Sequence, residues 1–413
     1  MTMIASRRSI LKGIGAGAGL AVLSRRAFAQ ASDEIKIGIL TDMNGPLAEM
    51  NGPGTVMAGR MAIEDFNARH PDIKVVLEAA DMQNKPDVTV SIAREWLDNR
   101  GFDLLTDVPI SAGALAVGPL VTERDKLAIF TSAASTQLTG QGCGPNQIQW
   151  THDTYSMARA VVNGQMANGG KTWYFITADT AFGHDLETEA TRFVTANGGT
   201  VLGSIRHPYP GNTDFSSYLL QAQASGAEVI GLANSGPDAV NSVKQASEFG
   251  ILSGGQKLAG LFMDITAVKS IGLDLAQGVV LTEAFYWNAN DGTRAFAERF
   301  KARHGAVPSP QHAGQYSAVT NYLEAVAKVG VAEAKRSGLA VLKVMQSATM
   351  NDPLFGPITV RADGRAVHPM LVLQVKAPDK STSPDDVYDL VSTIPGDDAF
   401  RPLADGGCPL VKG

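Results

Sequence analysis

From Ile35 onward the chain alternates short apolar, β-branched runs with stretches whose apolar residues recur at helical spacing, and it does so in two successive series. Residues 35–40 read as a first strand. An apolar run without polar alternation fits a strand covered on both faces. Val56, Gly59, Ile63 and Phe66 then share one helical face. Residues 73–77 form the next strand, and Asp87 is placed to cap a helix carrying Val88, Ile92 and Trp96. Strands at 104–105 and 127–130 flank a helix over 112–124. The second series starts after Trp150 with a helix over 155–167 and a strand over 172–177. Strands at 201–205, 229–232, 258–262 and 279–281 follow, separated by helices. In one of these, Asp214 is expected to cap the face made by Phe215, Tyr218, Leu219 and Ala222. Repeated βα units demand parallel sheets with helices on both faces, so the fold class is α/β with two doubly wound, Rossmann-like lobes. Beyond helices at 293–304 and 311–328 the pattern changes. Residues 358–360 and 370–375 read as antiparallel strands around the Asp363-Gly364 turn.

The first thirty residues set the destination. Ser6-Arg7-Arg8-Ser9-Ile10-Leu11-Lys12 is a twin-arginine pattern, the run 13–23 is weakly apolar, and Ala27-Phe28-Ala29 offers an A-x-A cleavage site. That run falls short of the roughly 20 residues a membrane helix needs. Residues 1–29 are therefore expected to be a Tat signal cleaved near Ala29, which sends a soluble chain to the periplasm. Gly13, Gly15 and Ala18 match the dinucleotide fingerprint, but they lack the strand before it that would give it meaning.

Five of the 35 basic residues lie in that leader, which leaves 30 against 41 acidic ones, a net charge of −11. Nucleic acid and anionic membrane both require a basic face and are disfavoured as partners. About 380 residues is too many for one core and implies two domains. Cys143 and Cys408 are the two cysteines. In an oxidising compartment they are expected to form a disulfide, the alternative being two buried thiols. The seven histidines are scattered without metal-ligand spacing, so neither metal nor cofactor is expected.

Ligands of open α/β sheets sit at the carboxyl ends of the strands. The loops there are 41–47, 109–113, 131–136, 178–184, 234–238 and 263–266, rich in Ser, Thr and Gly at helix starts. Such starts present free N–H groups and a positive dipole end to an anion, although Ser and Thr also simply cap helices.

Asn44-Gly45-Pro46-Leu47-Ala48, the stretch 58–67, Asp81-Met82-Gln83-Asn84-Lys85-Pro86, the stretch 132–139, Ala181-Phe182-Gly183-His184, Asn212-Thr213-Asp214-Phe215-Ser216, the stretch 281–286 and Gln315-Tyr316-Ser317-Ala318-Val319 occur in an order that resembles type I periplasmic binding proteins. Among these the chain is similar to the leucine/isoleucine/valine-binding protein family that serves ABC importers, including its aromatic-acid-binding branch, and the resemblance spans residues 33–400. It implies an N-terminal lobe of 33–150 with 283–366, a C-terminal lobe of 151–282 with 367–394, and a C-terminal extension over 395–413. Three crossovers fall near 150–151, 281–283 and 365–370. The implied protein is a monomer that closes around a small solute by hinge motion and delivers it to an inner-membrane permease. By the same resemblance Ser111, the backbone of Ala133 and Ser135 grip a carboxylate, with charge-assisted bonds worth about 1.5–3 kcal/mol each. Phe182, Tyr316 and Met50 form the walls. Asp264 either meets a ligand ammonium or caps the next helix. The ligand class stays open between branched-chain or other amino acids, aromatic acids of the benzoate and cinnamate type, and short amides.

An enzyme needs a preassembled nucleophile or acid–base pair. His152-Asp153 and His184-Asp185 are adjacent in sequence and so point in different directions. No G-x-S-x-G elbow or Walker loop follows the leader. Delivery to a receptor rather than to an importer is the remaining alternative.

Overall fold

The computed structural model describes residues 34–411. The leader and its cleavage site lie outside the described residues. The first series gives strands β1 (Glu34–Thr41), β2 (Lys74–Asp81), β3 (Leu104–Asp107), β4 (Leu127–Phe130) and β5 (Gln147–Gln149), with helices α1 (Gly52–Arg69), α2 (Pro86–Asp98) and α3 (Ser111–Glu123) between them. They form a five-stranded parallel sheet of order β2-β1-β3-β4-β5. The second series gives α4 (Thr154–Ala167), β6 (Thr172–Ala178), α5 (Ala181–Ala196), β7 (Thr200–His207), α6 (Ser216–Ala224), β8 (Val229–Ala233), α7 (Gly236–Glu248) and β9 (Lys257–Gly260). Its parallel sheet has the order β7-β6-β8-β9. In both sheets the first strand of the series sits inside the second, so each has a switch point beside that strand, between β1 and β3 and between β6 and β8. Strand β3, β4 and β8 residues are buried throughout, as a two-sided cover requires.

The rest of the chain departs from simple alternation. Helices α8 (Ile265–Ile271) and α9 (Leu273–Ala276) lead into β10 (Val280–Glu283). Strand β10 does not extend the parallel sheet, as the 279–281 run implied. After helices α10 (Asp291–His304), α11 (Pro310–Val329), α12 (Val331–Arg336) and α13 (Gly338–Gln346), the chain forms β11 (Met350–Asp352), β12 (Gly356–Val360), β13 (Ala366–Val367), β14 (Met370–Val375) and β15 (Tyr388–Ile394). Strands β10, β14 and β15 make a separate antiparallel sheet. The Asp363-Gly364 turn therefore joins β12 to the two-residue β13, and β14 pairs elsewhere. Gly364 has φ +83°, and a Cβ there would crowd the carbonyl of Gln147, which is why a D-G pair stands at this corner. Two expected caps also shift. Asp87 lies inside the first turn of α2, whose N-cap is Lys85. Asp214 precedes the N-cap Phe215 and accepts from the Ser216 amide at 2.9 Å. Helix α2 starts two residues too early, and α6 one residue too late, for the aspartate to serve as N-cap.

Cys143 and Cys408 are joined, with Cα atoms 5.7 Å apart across 265 residues of sequence. Ahead of Cys408, Ala399 and Phe400 pack into the core of the first sheet, beside Trp150 and Phe355.

The chain passes between the sheets at residues 150–153 and 366–370, and here it is bound to itself. Arg365 is fully buried. Its guanidinium donates to the carbonyls of Trp150 at 2.6 Å and His152 at 3.0 Å, and its Nε donates to Ala366 O at 2.9 Å. The ring of Phe400 lies 4.0 Å below it. His368 Nε2 reaches the carbonyl of Thr151 at 2.8 Å. Trp150, also fully buried, donates its indole N–H to Ser317 Oγ at 3.1 Å.

Candidate functional site

The loops at the two switch points face one cleft of about 280 Å3. That is just below the usual range for small-molecule sites, about 300–1,000 Å3, and suits a compact solute. From the first sheet come Leu47 and Met50 after β1, Asn84 and Pro86 after β2, Pro109, Ile110, Ser111 and Ala112 after β3, and Ser132 and Ala134 after β4. From the second come Ala178 to Phe182 after β6, Tyr209 and Pro210 after β7, Ser235 after β8 and Phe262 after β9. His152 and Gln311 complete the lining.

The loops after β1 and β2 are held by carboxylates at the strand ends. Asp42 accepts from the amides of Gly45 at 2.7 Å and Leu47 at 2.8 Å, and also from the Asn84 amide nitrogen. Asp81 accepts from the Gln83 amide at 2.9 Å. Gln83 and Asn84 both have φ near +54° side by side (55° and 53°), and Asp107 and Val108 form a second left-handed pair at 74° and 52°. A β-branched residue such as Val108 rarely takes this conformation, and strained corners of this kind are held by their surroundings. Both corners feed directly into lining residues.

Three helices open onto the cleft. Ser111 begins α3, and no side chain caps that helix, so its first N–H groups lack intrahelical partners. Phe182 lies in the first turn of α5, where Thr180 accepts from Gly183 N at 3.0 Å. A Cβ on Gly183 would run into the carbonyls of Ala178 and Ala233, so the close approach of α5 to its sheet requires glycine. Ser235 is the N-cap of α7 and makes no capping bond. Three positive dipole ends thus meet one cavity. No lysine or arginine lines it, but the buried Arg365 lies directly behind His152.

The second wall is aromatic. Phe262 meets Phe182 edge-on at 5.9 Å and His152 at 5.4 Å. Burial, with Arg365 nearby, pushes the His152 imidazole down to about 3, so the ring is neutral at ordinary pH. Asp179 is the one carboxylate among the lining residues, and it is paired with His184 at 2.7 Å.

Of the residues singled out from sequence, Met50, Ser111 and Phe182 line the cleft. The others lie behind or away from it. Ser135 is buried, and its hydroxyl accepts from Gln137 N at 3.2 Å while its amide donates to Ser111 Oγ at 3.2 Å. Ala133 is buried with its carbonyl accepting from Gln149 Nε2 at 3.1 Å. Its neighbours Ser132 and Ala134 are the lining residues. Tyr316 faces α1, donating to Asp65 Oδ2 at 2.6 Å and packing on Phe296 at 4.8 Å. Five residues earlier on the same helix, Gln311 holds the wall position. Asp264 is the N-cap of α8, with Oδ1 accepting from the amides of Thr266 at 3.1 Å and Ala267 at 3.0 Å. Of its two readings the capping role is the one formed, and Asp264 does not line the cleft. The pairs His152-Asp153 and His184-Asp185 are also split. Asp153 caps α4, while Asp185 accepts from Thr136 N at 2.7 Å. Sequence reasoning missed Tyr209, Phe262 and Gln311 as lining residues. The strand-end rule reaches the first two, because each lies within two residues of a strand end. Gln311 comes from the start of α11, which follows no strand of either parallel sheet.

The comparisons agree with this architecture. The solved structure of a periplasmic binding protein from Burkholderia mallei is 40% identical, covers 92% of this chain and 100% of its own, and superposes with a TM-score of 0.88. A branched chain amino acid ABC transporter periplasmic ligand-binding protein from Burkholderia xenovorans LB400 is also 40% identical, over 91% of this chain and 100% of its own, with a TM-score of 0.80. A Leu/Ile/Val-binding protein homolog 8 from Brucella suis biovar 1 (strain 1330) is 28% identical over 335 residues, 76% of this chain and 79% of its own. These relatives are binding proteins, not enzymes. The model of the periplasmic binding protein family matches residues 34–382, and with two doubly wound sheets closing on a cleft, the chain belongs to that family.

Proposed function

We propose that this chain captures a small aromatic carboxylate between its lobes and delivers it to an ABC-type permease, with no bond made or broken. The observation that carries the reading is the chemistry of the cleft: three helix N-termini for an anion, neutral aromatic rings for an apolar body, and Asp264 committed to a helix cap. A second reading, a branched-chain or other α-amino acid, is favoured by Asp179, whose side chain is 58% exposed at the cleft and could face an ammonium. The name of the Burkholderia xenovorans relative points the same way. Among the described residues no helix is long and apolar enough to cross a membrane.

The remaining assignments belong to the same proposal. The twin-arginine leader exports the chain to the periplasm and is cleaved near Ala29. The mature protein is a monomer, with lobes of 33–150 plus 283–366 and 151–282 plus 367–394 and a tail over 395–413. Ser111, rather than Ser135, presents the hydroxyl for the carboxylate.

The test is a thermal-shift panel on mature protein refolded to strip bound solute. Binding to the folded state adds RT ln(1 + [L]/Kd), about 4 kcal/mol at a thousandfold excess over Kd. Stabilisation by benzoate- and cinnamate-type acids and not by leucine supports the first reading. Stabilisation by leucine-like amino acids alone replaces it with the second.

A further inference from the structure

The carboxylate grip and the aromatic walls leave three polar atoms of the cleft unused. Asn84 Oδ1 and Gln311 Oε1 are buried and have no hydrogen-bond partner among the described residues, and Tyr209 Oη is buried with only the Ser235 hydroxyl beside it. Buried polar atoms are nearly always paired, because an unpaired one keeps its full desolvation cost. Three such atoms belong to residues that line one cavity, where a bound ligand can supply the partner.

Their chemistry restricts that partner. Asn84 gives its amide nitrogen to the Asp42 carboxylate, which fixes the amide so that the carbonyl oxygen is the unused end. Gln311 is 1% exposed, and its nitrogen lies 3.9 Å from Met50 Sδ, so its oxygen is likewise the unused end. Two carbonyl oxygens from the first-sheet side therefore await a donor. Tyr209 comes from the opposite side. Burial, together with Asp238 and Asp42 nearby, pushes its phenol up, so it stays protonated and can both donate and accept. A plain benzoate ring offers nothing to any of these atoms. A ring hydroxyl donates to one of the two carbonyl oxygens and accepts from the Tyr209 phenol, and a second ring hydroxyl supplies a donor for the other carbonyl.

We propose that Asn84, Gln311 and Tyr209 form a hydroxyl-reading subsite, and that the ligand class is an aromatic carboxylate carrying at least one ring hydroxyl. This rests on the aromatic-carboxylate reading above and narrows it.

The test is calorimetric titration of the refolded mature chain with benzoate, 3- and 4-hydroxybenzoate, 4-methoxybenzoate and leucine. At least one hydroxybenzoate is expected to bind about tenfold or more tighter than benzoate, because a site built for a hydroxyl leaves its polar groups unpaired on an analogue lacking it. The methoxy compound, which accepts but cannot donate, is expected to lose that advantage. In Tyr209→Phe and Gln311→Met the ratio of hydroxybenzoate to benzoate affinity is expected to fall toward one, whatever happens to the benzoate affinity itself. Circular dichroism melting establishes that each variant folds. Equal binding of benzoate and every hydroxybenzoate, or an unchanged ratio in both variants, overturns the subsite and leaves the aromatic-carboxylate reading standing. Binding of leucine alone, or of nothing in the panel, overturns both.

Discussion

The crossover region and the cleft both bury polar groups, yet they treat them in opposite ways. Around residues 150–153 and 365–368, every strong donor named above has its acceptor: Arg365 on the carbonyls of Trp150, His152 and Ala366, His368 on Thr151, Trp150 on Ser317. At the cleft a few residues away, Asn84 and Gln311 each carry a buried oxygen without a partner, and Tyr209 one with only the Ser235 hydroxyl beside it. A satisfied network stabilises one arrangement of the chain, whereas an unsatisfied one costs stability until something binds. For the groups named here the difference distinguishes a network that holds the chain from atoms left for a solute, while unpaired buried oxygens also occur away from the cleft, as at Gln149 and Tyr322. Substitutions should divide along the same line.

The largest effect is expected from Arg365→Met. It keeps the length of the side chain but strands the carbonyls of Trp150 and His152 and removes the cation from Phe400. Each buried carbonyl left unpaired costs about 1–3 kcal/mol. Urea denaturation measures it, and a loss under about 1 kcal/mol would mean that the crossover is not where stability is concentrated.

The next effect is read against pH. Burial holds the His368 imidazole down at about 4, against about 6.5 in the unfolded chain. Between those values the unfolded chain binds the proton and the folded chain does not. Stability therefore rises with pH across that window and is lost as pH falls through it, by roughly 3 kcal/mol in total from this group. The buried carboxyls of Asp107 and Asp238, raised to about 7 by burial, slope the other way between about 4 and 7. The sign is accordingly read from the difference between wild type and His368→Gln, which should flatten the histidine contribution. Parallel curves for the two proteins would remove His368 from the account.

Ser111→Ala sharpens the comparison from the cleft side. The hydroxyl lines the cavity and accepts from the Ser135 amide at 3.2 Å. Its removal should weaken ligand binding by about 1–2 kcal/mol, roughly tenfold, with a smaller loss of melting temperature than Arg365→Met. If stability fell and affinity did not, Ser111 would belong with the satisfied groups.

Asp264→Asn should do least. Asparagine caps about as well as aspartate, so stability is expected to change by less than about 1 kcal/mol, and affinity for the solute should stay within about twofold. A large loss of affinity would restore Asp264 as an ammonium partner and with it the amino-acid reading.

The sheets were legible in sequence because buried parallel strands leave an apolar signature and their helices leave a periodic one, as at 35–40 and 172–177. Strand β10 was misplaced because an apolar run carries no record of its partner. Only β14, 90 residues later, makes it antiparallel. The site was legible to the same depth. Rules for strand ends find Ser111 and Phe182, but they cannot say which of two adjacent residues, Ser132 or Ala133, turns inward. Tyr316 and Gln311 share helix α11, and only the packing of that helix on α1 decides which of them meets the cavity.

The bond between Cys143 and Cys408 has a consequence for how this molecule ages. A protease that cuts any surface loop in the 265-residue interval between the two sulfurs severs the backbone without releasing either piece. Such a nicked molecule runs as one band on a gel until a reductant is added, and as two afterwards.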